Sequence, residues 1–180
     1  MRIKKEDTIA VVVDVQQRLF PFISENEKLS QNIVKLVRGL KVLGIEIIIT
    51  VQYSKGLGET IEPIKRALGD FKHLEKMSFS CCGFPDFMEV LKKSGKKNVI
   101  VCGIESHVCV LQTTLDLLEN KFQPVLIEDC VSSRSLNDKK IAVERMRQEG
   151  AIISTYESIL FELLEVSGTE TFKEISKIVK

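Results

Sequence analysis

Short apolar runs alternate along the chain with segments whose apolar residues recur at helical spacing. Residues 8–14 and 45–51 are nearly continuous runs of aliphatic and β-branched side chains, a pattern typical of strands buried on both faces. Three further runs have the same character, at residues 98–102, 123–129 and 151–154. The pattern therefore predicts at least five buried strands.

Helical segments lie between these runs. Residues 26–43 carry apolar side chains every three or four positions, and Gly44 follows as a stop signal. Helices are also expected at residues 87–91, 106–120, 139–148, 157–165 and 170–178. Strand–helix alternation implies right-handed crossovers and a parallel sheet between two helical layers. We predict one doubly wound α/β domain over residues 1–180.

Composition and charge narrow the class of protein. The 180 residues include 26 basic and 25 acidic side chains, so the net charge is +1. Because neither sign is in excess, the charge does not indicate a nucleic acid or a charged membrane surface as partner. No apolar run is long enough to span a bilayer, and the amino-terminal residues lack the pattern of a signal peptide. We expect a cytoplasmic protein, with organellar targeting left open.

The cysteines and histidines indicate reduced thiols rather than a disulfide framework or a metal site. There are five cysteines and two histidines, and no CxxC pair occurs. An odd number of cysteines suits a reducing compartment, and two histidines would hardly complete a zinc site. We expect no metal and no cofactor.

Cys109 is the strongest candidate for chemistry. It follows the run 98–102, and helical spacing begins near Ser106. If Ser106 is the N-cap, Cys109 is the third residue of a helix, near unpaired backbone N–H groups that lower a thiol pKa. The alternative is an ordinary core cysteine.

Two charged residues are placed to act with this thiol. Asp14 ends the first apolar run and serves either as a helix cap or as a general base. Lys76 lies in the segment between the second strand and the helix after Pro85, where a solvated surface lysine is the plain alternative. In doubly wound sheets ligands bind outside the carboxyl ends of the strands, and Asp14, Gln52 and Cys109 all fall there.

Three motifs in this order resemble the isochorismatase-like cysteine hydrolases. They are Asp14-Val-Gln-Gln-Arg-Leu-Phe20, Lys76 before Phe79-Ser80, and Gly103-Ile-Glu-Ser-His-Val-Cys109-Val110. The resemblance extends from about residue 8 to residue 156. It is greatest to the isochorismatase domain-containing proteins, which share the Gln52-Tyr-x-Lys-Gly-Leu-Gly58 loop and the Cys130-x-Ser-Ser-Arg-Ser135 segment.

The resemblance implies a fold, a mechanism and an assembly. The fold is a mainly parallel six-stranded Rossmann-like sheet. Cys109 would be the nucleophile, Asp14 the general base and acid, and Lys76 the third member of a triad. A cis peptide bond is expected at Ile104–Glu105, where backbone N–H groups, with that of Cys109, would form an oxyanion hole. The family habit also suggests a homo-oligomer.

Two departures from the family pattern limit the reaction. Nicotinamidases carry an Asp-x-His metal motif after the second strand, whereas this chain has Thr50-Val-Gln52-Tyr-Ser54. Isochorismatases proper commonly lack the cysteine, which is present here. The sequence therefore favours metal-independent, amidase-like hydrolysis of a small amide or related C–N substrate through a thioester.

Further residues are candidates for substrate binding, each with a structural alternative. The candidates are Gln16, Phe20, Gln52, Phe79, Ser106 and His107. Core packing is the alternative for the two phenylalanines, and solvent exposure for Gln16. Arg134 could serve the pocket, a subunit interface or only the local structure.

Two other functions remain open from the sequence. The fold could act as an oligomeric binding or scaffold protein without catalysis. Cys109 could also be a redox-sensing thiol. Neither the substrate nor the number of subunits follows from the residues.

Overall fold

The computed structural model describes residues 2–180 and confirms the doubly wound α/β fold. All six strands are parallel, in the order β3-β2-β1-β4-β5-β6. Their bounds are β1 Thr8–Val13, β2 Ile47–Gln52, β3 His73–Lys76, β4 Asn98–Ile104, β5 Gln123–Ser132 and β6 Ile152–Ser154.

The order of the strands reverses between β1 and β4, and this reversal positions the site. The chain proceeds outward from β1 to β3, then returns to place β4 on the other side of β1. Val13 at the end of β1 is in register with Gly103 near the end of β4. Asp14 and Cys109 thus leave the sheet from neighbouring strands at the switch point, where such sheets bind ligands.

Eight α-helices are found in the described residues, and they cover the two faces of the sheet. Their bounds are α1 Asn26–Val42, α2 Ser54–Leu57, α3 Glu62–Leu68, α4 Pro85–Ser94, α5 Leu111–Glu119, α6 Leu136–Glu149, α7 Tyr156–Leu164 and α8 Glu170–Val179. Helices α1, α3, α7 and α8 pack on one face, and α4, α5 and α6 on the other. Successive β1 residues alternate between the two cores, as the period of a strand requires.

Two parts of the structure differ from the sequence prediction. The segment around Lys76, where the pattern of apolar runs indicated no strand, contains the short edge strand β3, which pairs with β2. The helix expected from Ser106 begins instead with one π turn, Ser106–Val110, before α5. The N-cap position belongs to Glu105, so the prediction that Ser106 caps this helix was wrong.

No helix in residues 2–180 combines the length and apolar character needed to cross a lipid bilayer.

Candidate active site

Asp14 and Lys76 form an ion pair that is almost fully removed from solvent. The Lys76 Nζ lies 2.5 Å from Asp14 Oδ2, and the two residues are 2% and 1% exposed. Asp14 follows β1 with a positive φ of 49°, which turns the backbone out of the sheet. Lys76 is the last residue of β3 and is in register with Gln52 of β2. The structure thus brings together two residues that are 62 positions apart.

The Lys76 ammonium group has a partner for each of its three protons. Besides the Asp14 carboxylate, it donates to the backbone carbonyls of Ser78 at 3.0 Å and Phe79 at 2.9 Å. These three acceptors match the three N–H donors of an ammonium group, so the position of the Lys76 side chain is fixed. Lys76 therefore contributes a fixed positive charge beside Asp14.

The Cys109 thiol faces the same buried pair. Cys109 is 4% exposed and is the fourth residue of the π turn. Burial raises the pKa of this thiol well above its usual range, and the negative charge of Asp14 adds to the rise, whereas the charge of Lys76 lowers the pKa. The expectation of a lowered thiol pKa was wrong, because the desolvation of a buried sulfur outweighs the helix terminus.

Gln52 is the polar side chain next to the sulfur. Cys109 Sγ lies 3.6 Å from Gln52 Oε1, and Gln52 Nε2 donates to the Met77 carbonyl at 3.4 Å. Gln52 is half-buried at the end of β2. Its carboxamide therefore lies between the Cys109 sulfur and the segment that follows β3.

Gln16 has a structural position rather than the expected place in the substrate pocket. Its side chain is fully buried and accepts a hydrogen bond from the Gln52 backbone N–H at 2.8 Å. Its amide nitrogen donates to the carbonyls of Gln52 at 3.0 Å and Gly58 at 2.7 Å. These bonds engage the carboxamide with the backbone, so Gln16 fixes the end of β2 and the loop that follows.

Thr50 and Cys81 also reach the site, and the sequence prediction missed both. The Thr50 hydroxyl donates to Asp14 Oδ1 at 2.7 Å and lies 3.7 Å from Cys81 Sγ. Both residues are buried. Burial, followed by the charge of Asp14, raises the pKa of Cys81 to about 11. The signal for Thr50 was present, since it is a polar residue late in an otherwise apolar strand.

Glu105 and Arg134 form a second ion pair beside the π turn. The peptide bond between Ile104 and Glu105 is cis. The Glu105 carboxylate is buried and accepts hydrogen bonds from the Arg134 backbone N–H at 3.2 Å and from its Nε at 3.0 Å. The sequence left open whether Arg134 serves the pocket, a subunit interface or the local structure, and these contacts support the local structural role.

Two further candidates lie in the π turn itself. Ser106 is fully buried, and within residues 2–180 its hydroxyl has no hydrogen-bond partner. His107 is half-buried, with Nδ1 2.9 Å from the Ser133 hydroxyl. Ser106 thus has an unpartnered hydroxyl three residues before Cys109, whereas His107 contacts the segment after β5.

The two phenylalanine candidates occupy different surroundings. Phe20 is half-buried and packs on the core on the α1 side of the sheet, whereas Cys109 belongs to the core on the other side. Phe79 contributes its carbonyl to Lys76, while its side chain is 51% exposed. Tyr53 and Met77, which follow Gln52 and Lys76 in the chain, are also exposed apolar side chains.

The described residues contain no cluster of three or more His, Cys, Asp or Glu side chains arranged to hold a metal ion. All five cysteines are free thiols.

Comparison with known proteins places this geometry in a family. Residues 8–158 match the isochorismatase domain model. Isochorismatase family protein 1B of Dictyostelium discoideum is 38% identical, and the match covers 99% of this chain and 89% of that protein. The structure of a Caenorhabditis elegans protein described as Mar1 ribonuclease is 37% identical, with a TM-score of 0.93 over 99% of this chain and 92% of that one.

The fold is shared more widely than the sequence. The Escherichia coli YcaC gene product, described as an octameric hydrolase of unknown specificity, has a TM-score of 0.93 at 23% identity, over 99% of this chain and 89% of that one. At that identity the likeness concerns the fold alone. The family match over residues 8–158 and the 38% identical Dictyostelium discoideum protein show that the chain belongs to the isochorismatase family.

Proposed function

We propose that this protein is a metal-independent cysteine hydrolase that cleaves the C–N bond of a small amide or a related compound. The supporting observation is the meeting of three side chains from distant parts of the chain. Asp14 pairs with Lys76 at 2.5 Å and also lies close enough to Cys109 to raise the pKa of its thiol. A carboxylate, an ammonium and a thiol in one buried site are the groups that nucleophilic hydrolysis needs.

The reaction begins with the neutral thiol. As the Cys109 sulfur bonds to the acyl carbon, its proton passes to the Asp14 carboxylate, and the carbonyl electrons move to oxygen. The tetrahedral species then collapses, the C–N bond breaks, and Asp14 returns the proton to the departing amine. A thioester remains on Cys109.

Water completes the cycle. Asp14 takes a proton from the water that attacks the thioester, the C–S bond breaks, and the thiol regains the proton. The products are a carboxylic acid and an amine or ammonia. Each step uses side chains of this chain alone. At the end of β2, Gln52 and Tyr53 supply a carboxamide and a phenol rather than the carboxylate and imidazole of a metal motif.

Lys76 and the backbone of the π turn support these steps. The fixed charge of Lys76 orients Asp14 and stabilises the sulfur as it loses its proton. We propose that the backbone N–H groups of Cys109 and of the Ile104–Glu105 region stabilise the oxyanion, since the first N–H groups of a helical segment lack partners within it.

Substrate recognition falls to the polar groups nearest the sulfur. Gln52 can accept from and donate to an amide, and Ser106 offers an unused hydroxyl. The exposed apolar side chains of Tyr53, Met77 and Phe79 surround the same segments. These surroundings favour a small, uncharged substrate, and the exposed apolar groups are consistent with a homo-oligomer.

The test is to trap the covalent intermediate on a defined residue. Wild-type protein is incubated with a panel of small neutral primary amides and with p-nitrophenyl acetate, then quenched in acid and examined by peptide mass spectrometry. We expect an acyl adduct on Cys109 and turnover that Cys109→Ala abolishes. Cys82→Ala, which removes a thiol that is only partly buried, is the control and should keep both the adduct and the turnover.

The alternatives give different outcomes in the same experiment. Absence of any acyl adduct and of any turnover would favour a binding or scaffold protein, and rapid sulfenic acid formation at micromolar peroxide would favour a redox sensor. The Caenorhabditis elegans relative is described as a ribonuclease, so single-stranded RNA is included. With Cys109 only 4% exposed and a net charge of +1, we expect no RNA cleavage.

A further inference from the structure

We propose that Thr50 is a positioning residue of this site, which holds the Asp14 carboxylate in its reactive orientation. The inference rests on the proposed function, because it assigns Thr50 a role through the general base of that reaction. It adds a residue of β2 to the three proposed catalytic residues, which come from the end of β1, from β3 and from the π turn.

Each oxygen of the Asp14 carboxylate accepts a hydrogen bond from a different donor. Thr50 Oγ1 donates to Oδ1 at 2.7 Å, and Lys76 Nζ donates to Oδ2 at 2.5 Å. The Asp14 backbone N–H also donates to the Thr50 carbonyl at 3.3 Å. With one donor on each oxygen, the plane of the carboxylate is fixed, and the remaining lone pairs are left for Cys109.

The Asp14 carboxylate fixes the direction of the Thr50 hydroxyl, and this direction determines the role of the neighbouring Cys81. A hydroxyl has one proton to donate, and the carboxylate is the strongest acceptor near it. The Cys81 thiol, 3.7 Å from Thr50 Oγ1, must therefore be the donor in that contact. The Cys81 backbone N–H in turn donates to Thr113 Oγ1 at 2.9 Å, which ties the arrangement to α5.

This arrangement has a measurable consequence for the pH dependence. The charged and titratable groups that face Asp14 are Lys76 from β3, Cys109 from the π turn and Cys81 from the turn before α4. Of these groups, Cys81 is the one that contacts the Thr50 hydroxyl, and because burial raises its pKa to about 11, it stays neutral below pH 9 with or without that contact. Removing a donor from a buried carboxylate favours its protonated form. As the pH is lowered, the variant should therefore lose its reactivity at a higher pH than wild type does.

The experiment measures the acetylation of Cys109 by p-nitrophenyl acetate between pH 4 and pH 9 in Thr50→Val, Thr50→Ser and wild type. Thr50→Val keeps the shape of the side chain and removes the donor. We expect the midpoint of the acid limb to rise by about one pH unit and the rate at neutral pH to fall by about tenfold or more. Thr50→Ser restores the hydroxyl and should return the midpoint to the wild-type value.

Thr60→Val is the matched control. Thr60 is also a buried threonine, and in the part of the chain that the structure describes its hydroxyl has no partner. The same substitution there should leave the midpoint unchanged. A merely structural role for Thr50 would lower the rate at every pH without moving the midpoint.

Either an unmoved midpoint in Thr50→Val or a failure of Thr50→Ser to restore it would overturn the proposal. If Thr50→Val does not fold, Thr50→Ala is measured in its place, with the same expected direction. The failure of the proposed function is a separate result, because wild-type Cys109 would then take no acetyl group at any pH.

Discussion

At the scale of single residues, the Cys109 thiol is held in its neutral form by its surroundings. Burial and the Asp14 charge both raise its pKa, and only Lys76 opposes them. The resting site therefore does not resemble that of a cysteine enzyme with a preformed thiolate. In the proposed reaction the nucleophile forms when the thiol passes its proton to the neighbouring carboxylate, so the reactivity of the thiol and turnover should be separable by mutation.

Asp14→Asn provides that separation. Asparagine tolerates the positive φ of 49° found at this position. Removing the negative charge lowers the pKa of Cys109, so alkylation by iodoacetamide at pH 9 should become faster than in wild type. Hydrolysis should fall by about 100-fold or more, since the general base is gone. Alkylation and hydrolysis that both fall would contradict this account.

The residues of the site were only partly predictable from the sequence. Asp14 and Cys109 stand out because each follows an apolar run at a strand end. The structural position of Gln16 was not predictable, because its partners are backbone groups 36 and 42 positions away. The raised thiol pKa was missed for a related reason, since burial depends on what the rest of the chain packs over the sulfur.

At the scale of elements, the short edge strand β3 carries one member of the buried ion pair. β3 has four residues and a single neighbour in the sheet, yet it ends on Lys76. Its sequence has little apolar character, which explains why the pattern did not predict a strand. The π turn before α5 was equally hidden, because the helical spacing continues through it.

Lys76→Met should destabilise the fold strongly, because it leaves the Asp14 carboxylate buried without its cation. We expect the free energy of unfolding in urea to fall by about 3 to 5 kcal/mol. Adding Asp14→Asn neutralises that carboxylate and should restore a large part of the loss.

The control is Lys93→Met, which breaks the exposed pair with Glu89 on α4. It should leave the free energy of unfolding essentially unchanged, since solvent screens exposed pairs. If the Lys76→Met, Asp14→Asn double variant were less stable than Lys76→Met alone, the two side chains would not be coupled as described.

At the scale of the whole molecule, all five thiols have pKa values above their ordinary range. Desolvation by burial is the largest cause in each case. The unfolded chain releases these protons near pH 9, whereas the folded chain retains them to higher pH. Above pH 9 the unfolded state therefore binds fewer protons than the folded state, and stability falls as the pH rises.

Cys102→Ala measures how much one buried thiol contributes to the loss of stability at high pH. Burial raises the pKa of Cys102 to about 12 from an ordinary value of 9.0. Between pH 8 and pH 11, wild type should lose roughly 2 to 3 kcal/mol more unfolding free energy than the variant. Urea unfolding at the two pH values measures the difference, and equal losses in both proteins would contradict the expectation.

The fold class was predictable from the alternation of apolar runs with helical segments, because a strand buried on both faces has a nearly continuous run of apolar residues. The carboxyl edge of the sheet was predictable as the place of the site for the same reason. The pattern of apolar runs did not predict the close contact between β1 and β4 at their ends, because that contact depends on the backbone of a single residue.

That residue is Gly103, and it constrains how the protein can evolve or be redesigned. Its φ is 122°, and a Cβ placed there would lie 2.1 Å from the Val13 carbonyl oxygen. Any side chain would force β1 and β4 apart at the point where Asp14 and Cys109 leave them. The spacing between acid and sulfur is therefore inherited with the backbone itself, so new specificities can arise by varying the surrounding loops while this spacing stays fixed.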